Sequence, residues 1–360
     1  MSTYNVGFIG AGGIAHAHAF ALAALPYYYK QAPVITKKAV TASMPESYAN
    51  FSKRYGFADA VPIDLFWQSQ DIDTVFILGP NGVHYSHLKQ ALKMAAVRRI
   101  YIEKPLCVTP EQVVKISELN AARPQELAVQ IGFQFLQMGV VRRALKLWHE
   151  TDFGRPIHFQ ARYLHSGYLQ PGYRRQRPAR LKPAPEGGAL ADLGAHVLSL
   201  LTAFLGDDLE ILSASHSGAF DDVPQGSDLC TVMMIRHRGS GAIGTVTASR
   251  ISAGAGDALE FELRCEKGAL RMSTARPDAL EVFTTTRNEW TTLTCGNDYL
   301  PATQFPTSYL PSGWLRSLIH AHYLFLGGHD EFAFIPDLNH GLAVQRLVCS
   351  AAAQMTNSTK

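Results

Sequence analysis

The sequence has few charged residues and almost no excess of either sign. Only 18% of its 360 residues are charged, against about 25% in a typical soluble protein, and 33 Lys and Arg residues oppose 30 Asp and Glu residues. Because the net charge is only +3 and no long basic tract occurs, nucleic acid is not an expected partner. Hydrophobic residues make up 47% of the chain, which predicts a globular protein of about two domains.

Cysteine is also scarce, and no two cysteines form a C-x-x-C pair. The five residues are scattered along the chain at Cys107, Cys230, Cys265, Cys295 and Cys349. This spacing argues against zinc-ribbon and redox-dithiol sites. We therefore expect reduced thiols, a cytoplasmic protein and no metal site.

No segment is expected to be a signal peptide or a membrane anchor. Residues 6–25 contain no Asp, Glu, Lys or Arg and are long enough to span a bilayer. The segment is nevertheless interrupted by four glycines, Gly7, Gly10, Gly12 and Gly13, and no basic region precedes it. A membrane is therefore not an expected partner.

The first part of the chain alternates between short apolar runs and helix-forming segments. Strands are predicted at residues 6–9, 38–43, 74–78 and 99–103, and helices follow each of them, at residues 13–25, 45–55, 84–96 and from 110 onward. This alternation predicts an α/β domain with a doubly wound parallel sheet. Residues 1–123 are accordingly assigned to a Rossmann dinucleotide-binding domain.

The pattern changes after residue 123. A strand is predicted at 127–133, and short strands joined by Gly-containing turns then dominate, at 229–235, 242–251, 259–265, 269–273 and 280–285. Helices are predicted at 140–150, 314–326 and 338–354. Residues 124–360 are therefore assigned to an α+β domain with a mostly antiparallel sheet.

A glycine-rich turn follows the first predicted strand. The run Gly10-Ala11-Gly12-Gly13-Ile14-Ala15 fits the G-x-G-x-x-G/A pattern. Gly10 permits the tight turn, Gly12 lets the backbone approach a pyrophosphate, and Ala15 allows close packing of helix on strand. Because the turn lies between a strand and a helix, it predicts dinucleotide binding, with an ordinary glycine turn as the alternative.

The second predicted strand bears on the choice of cofactor. NAD-binding domains usually carry an acidic residue at its end, whereas this chain has Ala42-Ser43-Met44. Ser43 can donate a hydrogen bond to a ribose hydroxyl or to a 2′-phosphate and does not repel the latter. The sequence therefore permits NAD or NADP and favours NADP, unless Glu46 takes the acidic role.

Two further motifs contain candidate catalytic residues. Glu103-Lys104-Pro105 follows a predicted parallel strand, which places Lys104 at the carboxyl edge of the sheet, where such folds bind ligands. Asp192 and His196 are four residues apart, so in a helix they share one face and converge on one ligand. The alternative for the second motif is a buried Asp–His pair that stabilises the helix.

The segment 163–182 mixes aromatic and basic residues just before the Asp192 motif. Five basic residues and no acid lie between Pro171 and Lys182, which suits an anionic sugar; a solvated or oligomer-facing loop is the alternative. The candidate substrate-binding residues are Lys104, Tyr163, His165, Tyr173, Arg174, Asp192 and His196.

In this order, the motifs resemble those of the Gfo/Idh/MocA family of oxidoreductases. Besides the glycine turn, the resemblance includes Asp73 to Asn81 with His84, the Glu103-Lys104-Pro105 tripeptide and the D-x-x-x-H of Asp192 and His196. It implies an NAD(P)-binding Rossmann domain and a second domain with a large open sheet used for oligomer contacts. It also implies a catalytic group of Lys104, Asp192 and His196.

The resemblance further assigns the cofactor-binding residues. The pyrophosphate would lie against Gly10, Ala11, Gly12, Gly13 and Ile14, and the adenosine ribose against Ser43. The nicotinamide side would be lined by Leu78, Pro80, Asn81, His84, Glu103 and Lys104. Two departures are Gln134-Phe135 in place of a frequent Asn-Arg pair and the missing acidic residue after the second strand.

The expected function is hydride transfer between NAD(P) and a secondary alcohol or ketone of a sugar, polyol or sugar derivative. A non-catalytic NAD(P)-binding regulator or scaffold of the same fold is the alternative. A methyltransferase is a weaker alternative, because that function would not explain the Glu103-Lys104-Pro105 tripeptide. The low charged fraction and the expected open sheet predict a homodimer or homotetramer joined through the C-terminal sheet.

Overall fold

The structure, a computed structural model, describes residues 2–295 and 313–357. The chain divides into two compact units. The first comprises Met1–Cys107, Val114–Gln137 and Tyr299–Gly341, and the second comprises Val108–Val113, Met138–Asp298 and Leu342–Lys360. This division differs from the predicted boundary between residues 123 and 124, because the chain returns to the first unit after the second sheet has been completed.

The first unit contains a six-stranded, fully parallel sheet in the order β3-β2-β1-β4-β5-β6. The strands are β1 Thr3–Ile9, β2 Val34–Thr41, β3 Asp59–Ala60, β4 Thr74–Ile77, β5 Arg99–Ile102 and β6 Ala128–Ile131. This strand order is that of the dinucleotide-binding Rossmann fold, which confirms the predicted class.

Helices join and cover these strands. They are α1 Gly13–Tyr28, α2 Pro45–Tyr55, α3 Ile63–Trp67, α4 His84–Ala91, α5 Pro110–Ala122 and, much later in the chain, α9 Trp314–Phe325. The residues of β4 are all buried, as expected for a strand covered on both faces. Phe8, Phe76 and Tyr101 share one apolar cluster with Leu318 and Phe325 of α9. Residues from near the end of the chain therefore complete the core of the first unit.

The second unit contains an eight-stranded sheet in the order β14-β13-β12-β11-β7-β10-β9-β8. The strands are β7 Pro156–Leu164, β8 Leu209–Ser217, β9 Cys230–His237, β10 Ile243–Ser249, β11 Ala258–Cys265, β12 Gly268–Ser273, β13 Ala279–Thr284 and β14 Glu289–Thr294. All pairs are antiparallel except β7 with β10, which run parallel. The predicted, mostly antiparallel sheet is confirmed.

One face of this sheet is covered by helices of the same unit. These are α6 Gly139–Glu150 and α8 Ala195–Leu205; the unit also contains the short α7 Pro171–Arg175 and most of α10 Leu338–Asn357, at the end of the described chain. Every residue of α8 is buried, and Phe204 stacks on Phe261 of β11 with ring centroids 4.7 Å apart. Strand residues alternate between buried and exposed, so the opposite face of the sheet carries the exposed set.

The sequence-based predictions missed four strands and misplaced some ends. In all, four strands, β3, β7, β8 and β14, had no predicted counterpart, and β2 ends at Thr41, so Ser43 lies beyond the strand rather than in it. The helix predicted to reach residue 96 ends at Ala91, because Met94 and Val97 are buried by tertiary packing that overrides the local alanine-rich preference.

Among the residues that the structure describes, no helix is both long enough and apolar enough to cross a bilayer. No group of three or more His, Cys, Asp or Glu side chains in these ranges is arranged to hold a metal ion.

Candidate active site

The glycine turn between β1 and α1 requires glycine at Gly10. Its φ is +126°, and a Cβ there would lie 2.6 Å from the carbonyl oxygen of Leu78. The Gly10 amide donates to the Thr41 carbonyl oxygen at 2.8 Å, and Leu78 donates its amide to the Ile9 carbonyl oxygen at 2.8 Å. The turn is thus attached to both neighbouring strands of the sheet.

Gly12 and Gly13 create an open surface at the start of α1. A Cβ on either residue would meet no atom within 4 Å, and the first turn of the helix holds no acidic side chain. No side chain caps the helix, so its first N–H groups point to solvent. An open approach to amide donors at a positive helix end fits a pyrophosphate, and these residues would hold that part of a nicotinamide dinucleotide.

The end of β2 carries the residue expected to meet the adenosine ribose. Ser43 is exposed, two residues beyond the strand, and neither acid nor base occupies positions 42–45. Glu46 is exposed in the first turn of α2. Ser43 is therefore accessible to a ribose hydroxyl or to a 2′-phosphate.

His84 is fully buried rather than exposed to a ligand. Its Nδ1 lies 2.7 Å from the carbonyl oxygen of Pro105, and its Nε2 lies 2.9 Å from that of Gly79. Burial lowers the pKa of this imidazole. The ring thus links the loop after β4, which carries the partly buried Asn81, to the turn that carries Lys104.

Glu103 is buried at the end of β5 and has a histidine partner. His18 of α1 donates from Nε2 to Glu103 Oε1 at 3.1 Å, and His18 Nδ1 lies 2.9 Å from Nε2 of His322 on α9. Burial and the neighbouring His18 lower the pKa of His322. A side chain at Gly132 would collide with the Glu103 carboxylate, so this glycine makes room for it. Lys104 follows directly and is partly buried.

The chain departs from the resembled family at Gln134, and the structure shows what this residue does. Gln134 is buried, and with its amide suitably oriented it donates to the Gly132 carbonyl oxygen at 2.9 Å and accepts from the Trp314 indole at 2.5 Å. The residue supports the sheet edge near Glu103 and provides no positive charge there.

In the second unit, Asp192 lies in a π-helical turn, Leu190–Gly194, that leads directly into α8. Asp228 stabilises the start of this turn: its Oδ2 accepts from the Leu190 amide at 2.8 Å and its Oδ1 from the Thr231 hydroxyl at 2.6 Å. Gly188 has a φ of +77°, and a Cβ there would lie 2.7 Å from Asp228. π turns are frequent at functional sites, and this one sets the direction of Asp192.

Two arginines bind the Asp192 carboxylate. Arg250 donates to Oδ2 at 2.5 Å, and Arg180 donates to Oδ1. Arg250 also donates to the Arg180 carbonyl oxygen at 2.9 Å, and its guanidinium lies 4.7 Å from the centroid of the Tyr168 ring. The rings of His165 and Tyr173 both pack edge-on against Tyr168, at 6.3 and 5.1 Å. The structure therefore brings two predicted substrate residues to this cluster.

His196 is buried in the first turn of α8 and packs against Tyr163. The two rings meet edge to face with centroids 6.0 Å apart, and the Tyr163 hydroxyl donates to Asp257 at 2.7 Å. Burial raises the pKa of Tyr163, so its phenol stays protonated and holds the ring beside the imidazole. His196 thus has a fixed neighbour among the predicted substrate residues.

Arg174, another predicted substrate residue, has a different environment. It is 3% exposed, donates to the Tyr168 and Leu169 carbonyl oxygens at 2.7 and 3.0 Å and forms an ion pair with Asp222 at 2.6 Å. Lys182 is likewise paired, with Glu186 at 2.7 Å. Arg180 faces Asp192, which it shares with Arg250, so three of the five basic residues in the segment 171–182 face a described carboxylate.

Sequence reasoning missed Arg250 and Asp228. Arg250 is the only charged residue between Arg238 and Asp257 and directly follows an apolar strand, which is a signal that a sequence alone offers. Asp228 follows Ser227 at the start of a strand and carries no comparable signal. Its contact with Gly188 depends on tertiary structure.

Two family models match the chain. One, described as an oxidoreductase family with an NAD-binding Rossmann fold, covers residues 4–133, and the other, described as a GFO/IDH/MocA C-terminal domain, covers residues 141–271. The first match contains the glycine turn and Lys104, and the second contains Asp192, His196 and Arg250.

Individual proteins agree with these matches. Levoglucosan dehydrogenase from Pseudarthrobacter phenanthrenivorans is 27% identical over 311 residues, which are 78% of this chain and 76% of the relative. A dTDP-3,4-didehydro-2,6-dideoxy-α-D-glucose 3-reductase from Actinomadura kijaniata is 25% identical over 91% of this chain and 84% of its own. A solved levoglucosan dehydrogenase in complex with NADH and levoglucosan is 25% identical, with a TM-score of 0.83 over 98% of both chains. The chain therefore belongs to the Gfo/Idh/MocA family and is an oxidoreductase with an NAD-binding Rossmann domain.

Proposed function

We propose that the chain transfers a hydride between a nicotinamide cofactor and a secondary alcohol carbon of a neutral sugar or polyol. The observation that carries this proposal is the chemistry at the start of α8. There His196 lies four residues after Asp192, whose carboxylate accepts hydrogen bonds from two guanidinium groups. An imidazole is the group best suited to moving a proton near neutral pH. The relative named levoglucosan dehydrogenase supports a neutral sugar derivative, and the relative named for a dTDP sugar supports a sugar without supporting its neutrality.

Oxidation of the alcohol requires that its C–H and O–H bonds both break. The C–H electron pair leaves as hydride to the oxidised cofactor, which supplies the acceptor when bound, and the hydroxyl proton passes to His196 Nε2 or Nδ1. Lys104 stabilises the negative charge that develops on the oxygen, as a cation does in comparable sites. Asp192 accepts a hydrogen bond from a neighbouring substrate hydroxyl.

The substrate is proposed to be neutral because three of the five basic residues in the segment 171–182 already face a carboxylate. Arg174, Arg180 and Lys182 each have a carboxylate partner, at Asp222, Asp192 and Glu186. Arg177 lies over the Tyr173 ring at 3.7 Å. These pairings favour a hydroxyl-rich ligand over a carboxylate or a phosphate.

A panel of sugars tests the proposed function. Levoglucosan, glucose, an inositol and glucuronic acid are offered with NAD⁺ and, separately, with NADP⁺, and formation of the reduced cofactor is followed by absorbance. We expect turnover of at least one neutral substrate and a kcat/KM for glucose at least about tenfold above that for glucuronic acid. Activity confined to the acid would contradict a neutral substrate, and tight NADH binding without any turnover would favour a regulator.

The same panel also tests whether the protein uses NAD⁺ or NADP⁺. Ser43 brings no carboxylate against a 2′-phosphate and is accessible, so the proposed site accepts NADP⁺ as well as NAD⁺. We expect the two cofactors to differ by less than about tenfold in kcat/KM, which corresponds to 1.4 kcal/mol. A preference for NAD⁺ of a hundredfold or more would show that another residue, such as Glu46, excludes the 2′-phosphate.

The exposed face of the second sheet is proposed to contact a second copy of the chain. Val232 and Met234 on β9 are 48% and 42% exposed, and Ile243 on the neighbouring β10 is 40% exposed. The cross-strand partners of β9, Thr245 and Thr247, are uncharged. These residues form an apolar patch near the β8 edge of the open sheet face, and such a patch is typical of a subunit interface.

Replacing Met234 with Arg tests this contact. The wild-type protein is expected to have the molar mass of a dimer or tetramer, and the variant a lower mass, because a charge would be buried without a partner. Light scattering during size-exclusion chromatography measures both. The control is Val114→Arg, which changes a more exposed apolar residue, on α5, and should leave the mass unaltered. A monomeric wild type would refute the interface.

A further inference from the structure

Arg250 is a buried cation without an assigned part in the proposed reaction. Its side chain is 1% exposed at the end of β10, and its guanidinium bridges Asp192 Oδ2 at 2.5 Å and the Arg180 carbonyl oxygen at 2.9 Å. A buried cation is costly unless a carboxylate faces it in good geometry. Asp192 is the carboxylate that meets this need.

The bonds to Asp192 limit what that residue can do. Both carboxylate oxygens accept from guanidinium groups, one from Arg250 and one from Arg180, and such an arrangement requires the ionised, acceptor-only form. The Asp192 side chain is 20% exposed, so a substrate hydroxyl can reach this carboxylate and donate to it. The carboxylate is therefore suited to binding and poorly suited to carrying the reacting proton.

Arg250 is held more firmly than Arg180. Its amide donates to the Leu229 carbonyl oxygen at 2.9 Å, its carbonyl oxygen accepts from the Tyr168 amide at 3.1 Å, and its guanidinium covers the Tyr168 ring. The Arg180 side chain is 44% exposed. A buried arginine fixed at its backbone and at its head group is the kind of support that keeps a binding residue in place.

We infer that Arg250 is a positioning residue that fixes Asp192 as an ionised hydrogen-bond acceptor for a substrate hydroxyl and leaves the proton transfer to His196. This inference rests on the proposed function, because it assigns a part of the same reaction. It adds a residue outside the D-x-x-x-H motif and separates the roles of the two residues within that motif.

The Arg250→Met variant tests the inference on a substrate identified with the wild type. We expect kcat/KM to fall by about 10²-fold, the cost of misplacing a group that orients the substrate. The dissociation constant for NADH is expected to stay within about twofold of wild type, because the glycine turn that would hold the pyrophosphate belongs to the first unit. Steady-state kinetics and a fluorescence titration with NADH measure the two quantities.

A double-mutant cycle with Asp192→Asn distinguishes positioning from a general structural role. If Arg250 acts through Asp192, adding Arg250→Met to the Asp192→Asn variant should change kcat/KM by less than about threefold. A further loss of about 10²-fold in that background would overturn the inference, as would wild-type kcat/KM in the single Arg250→Met variant. The double variant removes the buried cation together with its partner, so it also avoids an uncompensated charge.

Two more variants complete the test. Arg155→Met is the matched control, since Arg155 also bridges a carboxylate, Glu266 at 3.1 Å, and a carbonyl oxygen, Ser240 at 3.0 Å, and it should retain wild-type kcat/KM. If Arg250→Met does not fold, Arg250→Lys keeps the charge but cannot make both bonds, and a loss of about tenfold is expected. Full activity of the lysine variant would contradict the inference. Absence of turnover in the wild type would instead refute the proposed function.

Discussion

Replacing His196 with Gln is expected to lower kcat by about 10²- to 10⁴-fold, the range for loss of a general acid or base. The substitution is close in size and leaves the contact with Tyr163 largely intact, but an amide cannot carry a proton near neutral pH. Because the proposed step breaks the substrate O–H bond, the defect should lie in turnover rather than in cofactor affinity. Steady-state kinetics with the substrate from the sugar panel and an NADH titration measure the two effects.

His237→Gln provides the control for this experiment. His237 is a partly buried histidine at the end of β9 whose Nδ1 lies 2.8 Å from the Ser240 hydroxyl, and it has no part in the proposed reaction. It should retain wild-type kcat. If His196→Gln also kept near wild-type turnover, His196 would not be the proton carrier, and the proposed division of roles between His196 and Asp192 would be wrong.

Replacing Gly12 with Val is expected to weaken NADH binding by about 10²-fold, a cost of about 2.7 kcal/mol. The backbone there has a φ of −87°, which any residue adopts, and a Cβ would meet no atom of the protein within 4 Å. The new side chain would instead occupy the approach to the first amides of α1, where the pyrophosphate is expected. Titration calorimetry measures the affinity, and thermal unfolding without cofactor should show a melting temperature within about 4 °C of wild type.

Gly10→Ala, in the same turn, is expected to destabilise the fold itself. Its φ of +126° and the nearby Leu78 carbonyl oxygen leave no room for a Cβ, so the melting temperature should fall by about 5 °C or more. A Gly12→Val protein that bound NADH as tightly as wild type would show that the cofactor does not lie against this turn. Together the two variants separate the glycine needed for folding from the glycine needed for binding.

Local signals allowed much of the parallel sheet and of the helices around it to be predicted from the sequence. The helix predicted at 45–55 is α2, with Pro45 in its first turn, and Thr109 accepts the Gln112 amide at 3.2 Å just before α5. Both are short-range features that depend on a few adjacent residues. The glycine turn was equally local, and its order between a strand and a helix is confirmed.

The second unit was predicted less completely because its signals are weaker or depend on distant contacts. β7 begins at Pro156 and exposes Gln160 and Arg162, and the sequence analysis predicts no strand over the alternation of its buried residues, Phe159, Ala161 and Tyr163. Four-residue spacing suggested a regular helix at Asp192, whereas the chain makes a π turn there. That turn depends on Asp228, 36 residues further on, so no local pattern could indicate it.

The return of residues 313–341 to the first unit limits how the protein can be divided. A fragment ending at residue 137 would contain all six strands of the parallel sheet but would lack Leu318, Tyr323 and Phe325, which are buried in its core. Their removal would uncover apolar surface beside Phe76 and Tyr101, and His18 would lose its partner His322, which lies on the missing helix. The dinucleotide-binding half is therefore not a module that can be exchanged by a single crossover; a swap between relatives would have to carry α9 with it.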